Sequence, residues 1–423
     1  MLKRLFVSKI LYITLLLGIM NIFSSLQAAV QPELFDKKEC EKTAQVNIHC
    51  GKTPSATFDK QGRLWVVFEF KDHLYVSYSD DQGKNYSSSK MVNQHPEVIY
   101  TNGENRPKII MGLKDEIYLS WTKKTEGRFT GDIRFSRSLD SGVTFTPPTT
   151  INDDGVITGH RFDSMTVSRD GTIFIAWIDK RDNQKQKNKS PDAKPNRKKQ
   201  NGAIYTSFSV DSGKTFSKNK KLAENSCVCC RIAITPTTEN SVAISWRHVY
   251  EGSIRDHAFA IINTKGTQLM PTRVSKDNWQ IDACPHHGPS IIEDKYKKLH
   301  LVWFTASEKR KGIFYGRLNS TNSQADNLVN LSNQPSASHP YIISNEKMLL
   351  AVWKEFNRNT TQIKQVVSTD FGKNWSEPAV VTETAGESDH PLLLTNKNKF
   401  WLSWSTEQEG LRIIILAPAN HAT

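Results

Sequence analysis

Cysteine is scarce in this sequence, acidic side chains are outnumbered, and long apolar runs are confined to its first residues. The 423 residues carry six cysteines, too few for a scaffold held together mainly by disulfides. Beyond Ile22 no segment is long and apolar enough to cross a bilayer as a helix, so no later membrane span is expected. Asp and Glu number 43 against 56 Lys and Arg, a net charge of +13. Part of that excess lies at the N-terminus and part in one run, Lys180 to Lys199, which also holds Pro191, Pro195 and several Asn and Gln. Such a run reads as a solvated loop insertion over 180–200 and not as a basic groove, which excludes nucleic acid as a partner.

The N-terminus has Lys3, Arg4 and Lys9, an apolar run from Ile10 to Ile22, then Ser24-Ser25-Leu26-Gln27-Ala28-Ala29. That order of basic, apolar and small residues predicts a secretory signal over 1–29 and a mature chain, 30–423, that is periplasmic or secreted.

A short turn sequence occurs four times: Ser79 to Tyr86, Ser138 to Phe145, Ser209 to Phe216 and Ser368 to Trp375. Its pattern is Ser-x-Asp-x-Gly-x-x-aromatic. Ser and Asp satisfy the backbone of a tight turn and Gly supplies positive φ, while the aromatic is expected to anchor the hairpin on its own sheet. A larger unit repeats seven times, opening at Thr53-Pro54, Arg106-Pro107, Arg161-Phe162, Cys230-Arg231, Gly288-Pro289, His339-Pro340 and His390-Pro391. Each opening is followed by an apolar strand ending in Phe68, Trp121, Trp177, Trp246, Trp303, Trp353 or Trp404. Repetition of Trp at one register predicts packing between units in preference to sugar stacking.

The turns resemble the Asp-boxes of sialidase-type β-propellers, and the resemblance extends over most of the mature chain. It implies an all-β fold, a single β-propeller of four-stranded blades with the boxes on the face opposite the active site. The repeat count predicts seven blades, with six, as in sialidases, as the alternative. The last unit ends a strand short at Ile413-Ile414-Ile415-Leu416, and Val46-Asn47-Ile48 is the expected supplier of the missing outer strand.

In that geometry the start of each innermost strand and the loop after each second strand share the functional face. There the sequence places Arg106, Arg161, Arg231, His339 and His390, then Arg247, Arg255 and Asp256. This predicts a cation-rich funnel for an anionic glycan or another small anion, bound by a monomer. Arg106→Ala or Arg231→Ala is expected to weaken ligand binding without unfolding the chain. By resemblance, sialidases hold a substrate carboxylate with three Arg and use a Tyr activated by Glu and an Asp acid/base. Arg106-Pro107 matches part of the family's Arg-Ile-Pro motif, and Asp179, Tyr341 and Glu355 are the catalytic candidates by position. No local motif supports Tyr341 or Glu355.

Cys227, Cys229, Cys230, Cys284, His286 and His287 open neighbouring units on the same face. Three readings stand for them: disulfides, for example Cys284 with one of the other three; a copper or zinc site; or a redox-active thiol. Cys40 and Cys50 are expected to pair with each other. Three function classes follow: an exo-sialidase, a periplasmic metal-binding propeller, and a non-catalytic glycan- or protein-binding propeller.

Overall fold

The computed structural model describes Cys40 and residues 42–183, 201–237, 240–318 and 325–416. The expected signal segment and most of the 180–200 insertion lie outside the described residues. Central strands such as Leu64–Phe70, Ile173–Asp179 and Ser241–Arg247 are buried along their whole length. Near-continuous apolar strands of this kind are covered on both faces, as they must be when sheet packs on sheet.

The strands form seven antiparallel sheets, six of four strands and one of three, each in simple up-and-down order. The innermost strands are Lys52–Phe58, Lys108–Met111, His160–Val167, Ala233–Pro236, Ser290–Glu293, Ser338–Ser344 and Leu392–Asn396. Each contacts the next, and the last contacts the first, so the sheets are the seven blades of a closed propeller. The six-bladed alternative is thereby excluded.

Trp121, Trp177, Trp246, Trp303, Trp353 and Trp404 are all fully buried, in apolar clusters that bridge adjoining blades. Their indole N–H groups donate respectively to Glu97, Asp179, His248, Asp277, Glu355 and the Asp389 carbonyl. A buried indole retains its full apolar contribution only when that donor is paired.

In the second repeated turn Ser138 Oγ donates to Asp140 Oδ1 at 2.7 Å and accepts the Gly142 N–H at 2.9 Å, while Asp140 Oδ1 accepts the Thr144 N–H at 2.9 Å. The same bonds recur around Asp81, Asp211 and Asp370. Gly142 has φ +80°, and a Cβ there would lie 2.7 Å from Trp65 of the preceding blade. The turn therefore needs glycine for conformation and for close approach. The aromatic differs from expectation. Phe216 meets Phe135 and Trp375 meets Tyr315, each with ring centroids 4.9 Å apart, so it packs on the preceding blade and not on its own sheet. Tyr86 likewise packs with Trp401 and Ile413, joining the first blade to the last.

The last blade keeps three strands. Ile48–Cys50 is a 3-10 turn packed beside Gly410–Leu416 and not an added strand, because Asn47 Oδ1 accepts the His49 N–H and Gly51 bonds back to Ile48. Those internal bonds remove the N–H groups a ladder would need. Cys40 and Cys50 form a disulfide that ties this segment down.

Candidate functional site

Antiparallel order places the repeated turns on one face and the openings of the innermost strands on the other. On that second face three openings are bulged, at Lys52/Ser55, opposite Ala176/Ile178, and at Ser338/Tyr341. Thr53, Phe162 and His339 sit in these bulges with φ of 41°, 59° and 52°. A bulge turns a side chain off the strand direction, and non-glycine residues at positive φ mark sites held by their surroundings.

Three thiols converge at the opening of the fourth blade. The sulfurs of Cys227, Cys229 and Cys230 lie 3.4, 3.6 and 3.9 Å apart pairwise and are buried. Cys229 also falls within one ligand-sized group with Cys284 and His286 from the next opening, their donor atoms all within 4.8 Å of one another. The cluster therefore brings together five of the six expected ligands. His287 is outside that group; its ring centroid lies 4.3 Å from that of Phe304 and 4.5 Å from that of His339, tilted against both. All four cysteines are free thiols, so the disulfide reading of this cluster is not what the structure holds. Adjacent Cys229 and Cys230 lack the geometry for a bond without strain.

Cations surround the sulfurs. Arg255 Nη1 donates to Cys227 Sγ at 3.1 Å. Hydrogen bonds from Cys229 and Cys230, with Arg255 and Arg247 nearby, hold the Cys227 thiol well below its ordinary value. Hydrogen bonds with Cys227, Cys230 and Cys284 push Cys229 up, and burial pushes Cys230 up. The bond from Cys229 lowers Cys284 to about 6. Arg161 and Lys180 lie within electrostatic reach of Cys229 and Cys284, and burial lowers both cations from their ordinary values. The Arg161 guanidinium rests 4.4 Å from the Tyr100 ring centre, its Nε buried without a hydrogen bond.

The expected anion funnel is closed from within. Arg106 Nη2 donates to Asp389 at 2.6 Å and its Nη1 to the Pro54 carbonyl at 3.1 Å. Arg231 Nη1 donates to Glu104 at 2.6 Å, its Nη2 to the Pro340 carbonyl at 2.7 Å, and its guanidinium lies 4.3 Å from the Tyr341 ring centre. Arg247, only 1% exposed, spends its donors on the carbonyls of His287, Arg255 and Phe304. Asp256 is buried and takes Arg273 together with the Asn278 and Trp279 N–H groups. A guanidinium satisfied in this way has little left for a ligand carboxylate.

Asp179, Tyr341 and Glu355 are not joined by any hydrogen bond among the described residues. Asp179 is 1% exposed and accepts Trp177 Nε1 at 2.8 Å and Arg181 Nε at 2.9 Å. Arg181, the second residue of the basic run, is buried in that pair. Glu355 accepts Trp353 Nε1 at 2.7 Å and Ser332 Oγ at 2.6 Å.

Glu104 is the residue that sequence reasoning missed. It stands two residues before Arg106, outside every repeated motif, yet it is the hub of the axis. Besides Arg231 Nη1 it accepts the N–H of Arg231 at 2.7 Å and of Gly288 at 2.9 Å, and His390 Nδ1 lies 3.4 Å away. Burial opposes its charge, but Arg231 and His390 hold the carboxyl well below the usual range. A Cβ on Gly288 would lie 2.2 Å from Arg231 Cγ, so only glycine delivers that N–H. His390 stacks on His339 with ring centroids 3.6 Å apart, and burial lowers both imidazoles from their ordinary value, against the pull of Glu104.

On the same face, between the last and first blades, is a cavity of about 510 Å³ lined by Lys52, Thr53, Lys71, Asp389 and Thr406 among others. No helix among the described residues is long and apolar enough to cross a membrane.

No protein-family model matches this chain, and no curated protein does. Solved structures do resemble it. An ulvan lyase of polysaccharide lyase family PL25 is 10% identical over 87% of this chain and 94% of that one, with a TM-score of 0.56. The polysaccharide lyase Uly1 is 12% identical over 92% and 98%, with a TM-score of 0.50. A Hadza microbial sialidase is 13% identical over 86% and 65%, with a TM-score of 0.49. Identities this low carry the propeller fold across and leave the chemistry to the site itself.

Proposed function

We propose that this protein is an extracytoplasmic propeller that holds a soft metal ion, copper(I) or zinc, at Cys227, Cys229, Cys230, Cys284 and His286. The observation that carries this reading is the set of sulfur separations, 3.4 to 3.9 Å. Thiolates around one ion at about 2.3 Å stand about 3.8 Å apart, so the trio needs almost no movement to close on a metal. Thiolate donors select copper(I) and zinc over harder ions, and burial of the trio shields a bound ion from exchange. Cys229, common to both groups, is placed to bridge them. The basic, apolar and small-residue order of the N-terminus supports export, where the four thiols would need a metal to resist oxidation. The reading is tested on full-length mature protein, purified anaerobically, stripped and titrated with copper(I) or zinc against a chromophoric chelator. Stoichiometric uptake, lost in Cys229→Ser, is expected. No uptake by protein whose four thiols react in denaturant overturns it.

A second reading, binding of an anionic glycan by a monomer, is favoured by the cavity between the last and first blades with Lys52 and Lys71 at its wall. The ulvan lyase has been solved bound to a glucuronate–sulfated rhamnose glycan. An exo-sialidase is the narrower form of this reading, and its requirement for three open Arg side chains is the part the ion pairs work against. Calorimetry with a uronate oligosaccharide and with sialyllactose tests it: binding abolished by Lys71→Ala supports the cavity, and no heat with either ligand removes it.

A further inference from the structure

We propose a second metal site at the propeller axis, formed by Glu104, His339 and His390, that takes a borderline divalent ion such as zinc or cobalt(II). One donor atom from each residue lies within 4.8 Å of the others, and His390 Nδ1 is already 3.4 Å from Glu104 Oε1. Ligands at about 2.1 Å on a tetrahedral ion stand about 3.4 Å apart, so closure asks only for small side-chain rotations. The three residues come from openings of the second, sixth and seventh blades. No single loop dictates their meeting; ring closure does.

The surroundings are those of an oriented ligand set. His339 Nε2 lies 3.1 Å from the His286 carbonyl, which can only accept, so that nitrogen carries the proton. Nδ1 is then left as a bare lone pair, and it is buried without a partner. A ring with one nitrogen pinned to a carbonyl and the other left without a partner is the arrangement that fixes the tautomer of a metal-binding imidazole. Glu104 is pinned at Oε2 by the N–H groups of Arg231 and Gly288 and at Oε1 by Arg231 Nη1, an outer layer that positions the carboxylate; Oε1, which has a second lone pair, also lies 3.4 Å from His390 Nδ1.

Two imidazoles and a carboxylate differ in chemistry from the thiol cluster. They suit a borderline ion, and three protein donors leave at least one coordination position for water or an anion. The two sites share a frame without sharing a ligand atom. Arg231 follows Cys230, Gly288 lies just past His286, and the His286 carbonyl orients His339 while its ring belongs to the thiol group. The axial site stands on its own donors and does not depend on the thiol site being loaded.

Cobalt(II) is the probe, because its thiolate charge-transfer bands in the near ultraviolet and its visible bands from nitrogen and oxygen ligands separate the two sites. The full mature chain is titrated beside His339→Gln, His390→Gln and a variant with Ser at Cys227, Cys229, Cys230 and Cys284. The thiol-free variant is expected to keep one equivalent with visible bands and no charge transfer. Each His substitution is expected to weaken that equivalent tenfold or more while the charge-transfer bands of the thiol site persist. Absence of a stoichiometric equivalent outside the thiol bands, or one indifferent to both His substitutions, overturns the proposal. If the thiol-free variant does not fold by circular dichroism, the decision rests on wild type against His339→Gln, where loss of one equivalent with intact charge-transfer bands still reads the axial site alone. Loss of the charge-transfer bands in wild type would instead count against the thiol site.

Discussion

His160 makes stability depend on pH in a window where few other groups titrate, and the size of the effect follows from its surroundings. The ring is fully buried at the opening of the third blade, with Nδ1 2.8 Å from the Gly131 carbonyl and Nε2 3.1 Å from Asp154. Burial alone would lower its pKa, but Asp132, Asp154 and Asp179 together raise it from 6.5 to about 9. Arg181, bonded to Asp179 and close to Asp154, is the cation that tempers those carboxylates. A raised pKa means that the folded state holds the proton more tightly than the unfolded chain. The stabilisation is therefore complete below about pH 6.5 and disappears as pH rises through about 9. A difference of 2.5 units corresponds to about 3 kcal/mol, an upper figure because Asp132 is partly exposed. Urea unfolding of wild type and His160→Gln at intervals from pH 6 to pH 10 measures it, since groups common to both chains cancel in the difference. The gap between the two should shrink by up to about 3 kcal/mol with rising pH. A gap that stays constant, or widens with pH as a neutral buried imidazole would make it, refutes the reasoning.

Gly142→Val should cost about 2–4 kcal/mol in urea unfolding, because it forces φ +80° on a β-branched residue and drives Cβ into Trp65. Asp140→Ala should cost less, since the Thr144 side-chain and backbone donors it frees are exposed to water; Asp140 itself should titrate near 2 by NMR, held down by those bonds. Arg231→Ala should destabilise by about 3–5 kcal/mol, because Glu104 would be left charged and buried. That replaces the sequence-level expectation of lost ligand binding in an intact fold, and an unchanged melting temperature would contradict it.

The seven-bladed ring was legible because each unit repeats the physics of one sheet: an opening strand, then a largely buried second strand that carries Trp near its end in six units and Phe68 in the first. What a repeat cannot announce is its partner across a joint. The aromatic of each box was legible as an anchor, but a burial pattern does not say which sheet buries it, and Phe216 and Trp375 anchor to the blade before. The site was legible for its thiols, whose types are rare and whose spacing groups them. The cations were legible as a register and misread as open, because their acids are remote in sequence. Asp389 lies 283 residues from Arg106, and Glu104 lies 127 residues from Arg231. Glu104 belongs to no motif at all, and only ring closure brings it to the axis.

Once those pairs are drawn, the distribution of charge on this face argues for what the unpaired cations serve. Arg106 and Arg231 are neutralised by Asp389 and Glu104. Arg255, Arg161 and Lys180 instead face the sulfurs, Arg255 by a direct bond and the other two through space. Buried cations without carboxylate partners cost free energy unless negative charge stands nearby. Three thiolates around one copper(I) carry about two negative charges in excess, and around zinc about one, which is the charge such a set of cations is suited to offset. A face built to capture a diffusing anion would aim its cations at solvent. Here Arg161 and Lys180 are half-buried and lie within electrostatic reach of Cys229 and Cys284, while Arg255 bonds Cys227, so the placement of charge supports the proposed metal site beside the sulfur geometry.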